Sequence, residues 1–244
     1  MSTAPARPTV FAVEAALLCR RYGRRWALVD VDLRLPRGAA LMVAGRNGSG
    51  KSTLLRVLAG AISPTRGSAR VAGFDLVADL DEVRRRTALL GHASYSYDAL
   101  SALENLRIAA RFLGRAHGRE PLRALLDEVG LAERADDAVE TFSAGMRRRF
   151  ALARVLIQDA DVVLLDEPYG QLDPPGFSLV DRLFGRLRER GRTVLMATHL
   201  LERGADLCDE GLVLEAGRVA WTGPAADLPG PGVAAAGLSE GATA

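Results

Sequence analysis

The chain has almost no lysine: 31 of its 32 basic residues are arginine, and the single lysine is Lys51. It also lacks long apolar runs. Stretches such as Ala39–Ala44 and Val162–Leu165 are strand-sized, far short of the ~20 residues a membrane-spanning helix requires. Cysteine is scarce, and Cys19 and Cys208 show no CxxC spacing. This excludes a disulfide framework and a cysteine metal site, and both read as reduced packing thiols. The net charge of +2 lacks the basic excess of a nucleic-acid groove, so no nucleic-acid partner is expected. Arg84–Arg86 and Arg147–Arg149 read as solvated helix faces. Met1–Thr9 is polar, punctuated by proline and without the apolar core of a secretion signal. The expectation is a protein that is soluble, or peripheral on a membrane built by other chains.

The 244 residues, 48% hydrophobic and 25% charged, suffice for one large domain with a full core. Strand texture occupies Phe11–Leu18, Ala27–Leu35, Leu41–Ala44, Ser68–Ala72 and Thr87–Gly91, with a helix expected over Ser52–Ala59. From about Ser101 to Gln158 the pattern turns helical. Leu103, Leu106, Ile108 and Phe112 recur at roughly helical spacing, as do Leu122, Leu125, Leu126 and Val129. Strands return at Val162–Leu165, Thr193–Ala197 and Gly211–Thr222. This alternation predicts an α/β core with an inserted helical subdomain. A single domain is expected over 10–223, its helical insertion at about 100–158, between flexible ends at 1–9 and 224–244.

Gly45-Arg46-Asn47-Gly48-Ser49-Gly50-Lys51-Ser52 fits GxxxxGK[ST], with an apolar strand before it and an amphipathic helix after it. Glycines let the backbone wrap around phosphates, and the helix N-terminus adds partial positive charge. In a chain that uses arginine almost everywhere, Lys51 stands where a compact ammonium fits and a planar guanidinium is too wide. The expectation is ATP, with Lys51 on the β/γ-phosphates, the Ser52 hydroxyl on Mg²⁺ and Thr53 beside it. Val162–Leu165 runs into Asp166 and Glu167, so Asp166 would stand beside the Mg²⁺ and Glu167 would deprotonate an attacking water. Ser143 opens a helix expected over Met146–Ile157, which by itself fits an ordinary capped helix as well as a second anion site. His199 follows Thr193–Ala197, and a histidine there can be structural or catalytic.

In this order the motifs resemble the ATP-binding subunit of an ABC transporter, from about Phe11 to Gly223. The resemblance implies a P-loop NTPase core of mixed sheet with an antiparallel β subdomain and the helical insertion. It makes Gly45–Ser52 Walker A, Val162–Glu167 Walker B and Phe142–Met146 the signature that usually reads LSGGQ. Leu172–Asp173 would belong to the D-loop, His199 would be the switch histidine and Tyr22 the aromatic that stacks on adenine. It also implies a head-to-tail homodimer or heterodimer that sandwiches two ATP molecules. Ser143 and Gly145 of one protomer would then meet the nucleotide held by the other. Separate transmembrane permease subunits would be driven from the cytoplasmic face of the membrane, and ATP hydrolysis would reset them. Leu90-Gly91-His92, the stretch Leu100–Leu106, and Ser143-Ala144-Gly145 with Arg148, Arg149 and Ala151–Arg154 are most similar to haem exporter ATP-binding subunits of cytochrome c maturation. Other cassette uses fit less well: there is no heptad-rich arm as in DNA repair proteins, no second cassette as in ribosome regulators, and no cysteine spacing for a cluster scaffold.

The chain departs from that pattern at two places. Met146 replaces the signature glutamine, and Ala93 stands where the family has the Q-loop glutamine that reaches the metal and the attacking water. His92, Ser94 or a water is expected to substitute, with slower hydrolysis or altered coupling; a weakly hydrolysing regulator is the corresponding alternative. Ala93→Gln is therefore expected to raise ATP turnover, measured as phosphate release. Unchanged turnover and unchanged transport would show that this position limits neither.

Overall fold

The structure, a computed structural model, describes residues 10–91, 96–114 and 118–229. A long hairpin of β1 (Phe11–Tyr22) and β2 (Arg25–Pro36) leads to β3 (Ala40–Ala44) and α1 (Lys51–Leu58). Strands β4 (Arg66–Val71) and β5 (Phe74–Asp75) complete a four-stranded antiparallel sheet in the order β2-β1-β4-β5. After α2 (Leu80–Arg86) and β6 (Thr87–Leu90) comes a helical block of α3 (Ala102–Phe112), α4 (Arg119–Glu128) and α5 (Ala144–Leu156). The chain then alternates β7 (Val162–Asp166), α6 (Pro174–Glu189), β8 (Thr193–Ala197) and α7 (Leu201–Leu207), and closes with β9 (Glu210–Glu215) and β10 (Arg218–Pro224).

The second sheet has the order β10-β9-β3-β8-β7-β6 and is parallel except for β10. Strands β3, β7 and β8 are buried at every position, as expected for parallel strands covered on both faces. Alternation along β3 divides the core. Leu41 and Val43 join Leu54, Leu55 and Leu58 of α1 and the apolar side of the antiparallel sheet. Ala40 and Met42 join α6 and the helical block, including Leu103, Leu126 and Phe150. The P-loop NTPase α/β architecture expected from the sequence is present.

Several local expectations change. Phe112 is 82% exposed, while α3 buries Ala102, Leu103, Leu106 and Ala110. At 3.6 residues per turn, Phe112 falls about 240° round the helix from Leu106. Ser101 and Glu104 close a capping box at the start of α3, and the side-chain amide of buried Asn105 accepts from the Tyr97 N–H and donates to the carbonyls of Tyr97, Leu100 and Ser101. Helix α5 starts at Ala144, two residues before the expected Met146, because Ser143 accepts from the Met146 N–H and caps it there. Gly211–Thr222 is two strands turned at Ala216–Gly217. Residues 224–229, expected to be flexible, are packed: Pro224 pairs with Glu210, and Ala225 is 1% exposed. Both cysteines are free and buried, and burial pushes the Cys208 thiol up to about 12.

Phe150 has no exposed surface and meets Phe142 edge-on at 6.2 Å between centroids. Phe150→Ala should cost about 3–5 kcal/mol, read as a lower urea midpoint, whereas Phe112→Ala should stay within about 0.5 kcal/mol.

Candidate active site

The strand order builds the site. β8 lies between β3 and β7, and all three are parallel, so Gly45, Glu167 and His199 emerge at one carboxyl edge. Open α/β sheets bind ligands at that edge. The turn of Gly45–Gly50 needs backbone that only glycine supplies. Gly45 has φ +141, and a Cβ there would lie 2.3 Å from the Leu214 carbonyl oxygen. Gly50 has φ +115, and its Cβ would lie 2.5 Å from the Ala27 carbonyl oxygen. Both clashes are with backbone of neighbouring strands, so the loop is wedged between β2 and β9. The Gly217 N–H donates to Ser49 O at 2.9 Å and bolts the β9–β10 turn onto it.

Lys51 begins α1 and is 7% exposed. Its Nζ donates to Gly45 O at 2.7 Å and Arg46 O at 3.2 Å, which holds the ammonium over the loop. Arg46, Asn47 and Gly48 are exposed, Ser52 and Thr53 half-buried. The Ser49 hydroxyl is buried without a protein partner among the described residues; a phosphate oxygen in the loop would satisfy it. Ser52 Oγ donates to Asp166 Oδ1 at 3.0 Å across the end of β8. Glu167 Oε2 and His199 Nδ1 are 2.8 Å apart. These residues, distant in the chain, form one cluster: an ammonium and a helix N-terminus for phosphates, a hydroxyl–carboxylate pair for a hard cation, and a second carboxylate oriented by an imidazole.

Tyr22 ends β1 and is 43% exposed, with the Arg20 guanidinium 4.7 Å from its ring centroid. It pairs with Arg25, whose Nη2 lies 3.6 Å from where a Gly48 Cβ would stand, so this hairpin tip borders the phosphate loop. Ser143 and Gly145 have other contacts. Among the described residues no hydrogen bond joins them to Gly45–Thr53, and Gly145 faces Gln171 O instead. Asp173 caps α6 and also accepts from Arg149; its hydrogen bond from Gly176 N–H lowers its carboxyl below the usual range. His92, Ala93 and Ser94 lie outside the described residues.

Arg148 corrects an expectation. It is 8% exposed rather than solvated and bonds the carbonyls of Gly91, Asp166, Glu167 and Pro168. Burial lowers its pKa while the Asp166 and Glu167 charges raise it. The signal was its spacing, since Arg148, Ala151, Leu152 and Val155 follow the i, i+3, i+4, i+7 stripe of a packed face.

The sequence profile of the ABC transporter family matches residues 28–170. The chain belongs to that family. The cassette is 36% identical over 230 residues to the daunorubicin/doxorubicin resistance ATP-binding protein DrrA of Streptomyces peucetius, covering 93% of this chain and 68% of the relative. It is 35% identical over 230 residues to the Nod factor export ATP-binding protein I of Cupriavidus pinatubonensis, covering 92% and 71%. Over 215 residues it is 39% identical to the aliphatic sulfonates import ATP-binding protein SsuB 2 of Pseudomonas aeruginosa, covering 88% and 75%. Among solved structures, a dimeric ATP-binding cassette in a post-hydrolysis state with ADP and phosphate superposes with a TM-score of 0.80 at 25% identity, covering 87% and 98%. The cassette is thus an ATP-binding, ATP-hydrolysing domain of the ABC transporter type.

Gly50→Ala puts a side chain at φ +115 and against Ala27 O. It should weaken ATP binding by at least about tenfold, or 1.4 kcal/mol, measured by titration with a fluorescent nucleotide.

Proposed function

We propose that the cassette hydrolyses ATP to drive export through separate membrane-spanning subunits, held at the cytoplasmic face of the membrane as a peripheral dimer. The observation that carries this reading is the pair of contacts at one sheet edge, Ser52 to Asp166 and Glu167 to His199. Among the described residues no helix is long and apolar enough to cross a membrane, and this reading assigns translocation to separate membrane-spanning subunits. Export follows the Nod factor relative; import is the second reading, favoured by the sulfonate relative. Haem as cargo rests on Leu90–His92, Leu100–Leu106 and Ser143–Gly145 with Arg148, Arg149 and Ala151–Arg154; none of the three relatives above is a haem exporter.

In this reading Gly45–Gly50 and the N-terminus of α1 receive the phosphates, and Lys51 turns from its loop carbonyls to the β/γ-oxygens. Tyr22 offers its exposed ring to adenine. Ser52 and Asp166 would hold Mg²⁺, their paired oxygens suiting a hard cation, and the ion when bound neutralises phosphate charge. Glu167 accepts a proton from the attacking water, and His199 holds the carboxylate in place. Ser143 and Gly145, apart from the loop within one protomer, act on the nucleotide of the second.

Glu167→Gln should abolish turnover while trapping an ATP-bound dimer on size exclusion; turnover at the wild-type rate would overturn the assignment. Mixing Lys51→Ala with Ser143→Arg tests the shared site. Each variant alone should be inactive, while the mixed dimer keeps one intact pair of half-sites and regains turnover. An inactive mixture would place both half-sites in one protomer.

A further inference from the structure

We propose that Arg148 is a positioning residue for hydrolysis: its buried guanidinium clamps the turn after β7 so that Glu167 is presented to the attacking water. This rests on the reading of Glu167 as the base.

Glu167 has φ +49, a left-handed conformation that non-glycine residues keep only when their surroundings over-determine it. Its N–H donates to Ala197 O at 2.8 Å, which fixes one side of the peptide. The other side is held by the Gly170 N–H, which donates to Glu167 O at 3.0 Å, and by one arginine. Arg148 Nη2 donates to Asp166 O at 2.6 Å and also to Glu167 O, while Nε donates to Pro168 O at 3.3 Å. Three consecutive carbonyls therefore converge on one planar fork. A lysine could not match it, because an ammonium has no such plane.

The fourth contact runs elsewhere. Arg148 Nη1 donates to Gly91 O at 2.8 Å, just beyond β6. The side chain comes from the second turn of α5, whose first residues follow Ser143. A single guanidinium thus joins the end of β6, the Walker B turn and the helix that would meet the partner's nucleotide. If α5 shifts on that nucleotide, the Glu167 peptide is the backbone it pulls on. The Asp166 and Glu167 charges favour the charged guanidinium at a site where burial alone disfavours it.

The test compares Arg148→Gln and Arg148→Lys with wild type and with Glu167→Gln, recording kcat, KM, ATP affinity and melting temperature. Arg148→Gln should lower kcat by about 100-fold, the scale of misplacing a catalytic group by an ångström, with ATP affinity held within about threefold. Arg148→Lys should fall between it and wild type. Wild-type kcat in Arg148→Gln, or parallel loss of affinity and melting temperature in both variants, would overturn the proposal. If Arg148→Gln does not fold, Arg148→Lys decides by the same split between kcat and affinity. Absence of hydrolysis in wild type, or full activity in Glu167→Gln, would instead sink the reading of the base, so the two failures are distinguishable.

Discussion

Parallel pairing of β3, β8 and β7 sets the geometry of the nucleotide edge. Each strand is buried on both faces, so none can slip by one residue without moving side chains between the two halves of the core. With the register fixed, Val43, Ala197 and Asp166 stand at a common level. The residues after them project together, and the hydrogen bond from Ser52 to Asp166 spans the gap left by the intervening strand. The loop, the carboxylates and the imidazole are consequences of hydrophobic burial some distance below them.

The site also depends on backbone that resists the usual preferences. The phosphate loop is pressed against strand carbonyls at Gly45 and Gly50, and Glu167 sits in left-handed space. Both conformations persist because rigid neighbours hold them, the antiparallel sheet and the β9–β10 turn on one side and Arg148 on the other. Stiffness of the scaffold and chemistry of the site are the same property measured in two places.

How much of this is legible in the sequence differs by element. The phosphate loop can be read directly, because glycine spacing, the lone lysine and the flanking apolar patterns all constrain one turn. The order β3-β8-β7 cannot, since the pairing of β3 with β8, more than a hundred residues away, leaves no local mark; the two motifs predict that Ser52 and Asp166 share one ion, and the fold shows how they meet across β8. Arg148 is obscured by its charge, although its helical position matches the packed face. Residues 224–229 read as loose from their proline and alanine content. Yet Gly211 leaves room that Leu228 and Ala225 occupy, a fit invisible without the sheet. The partition between Walker A and the signature is legible by resemblance, and a single chain shows it only as separation.

The arginine-for-lysine bias has a consequence for chemical labelling. Lys51 carries the only side-chain amine in 244 residues, and it is 7% exposed inside the phosphate loop. Reagents that acylate lysines elsewhere on a protein surface find no competing side-chain target here, since guanidinium groups do not react under the same conditions. Apart from the α-amino group at the N-terminus, an amine-directed probe therefore has one atom to report on, Nζ, and its protection reports whether the loop is filled.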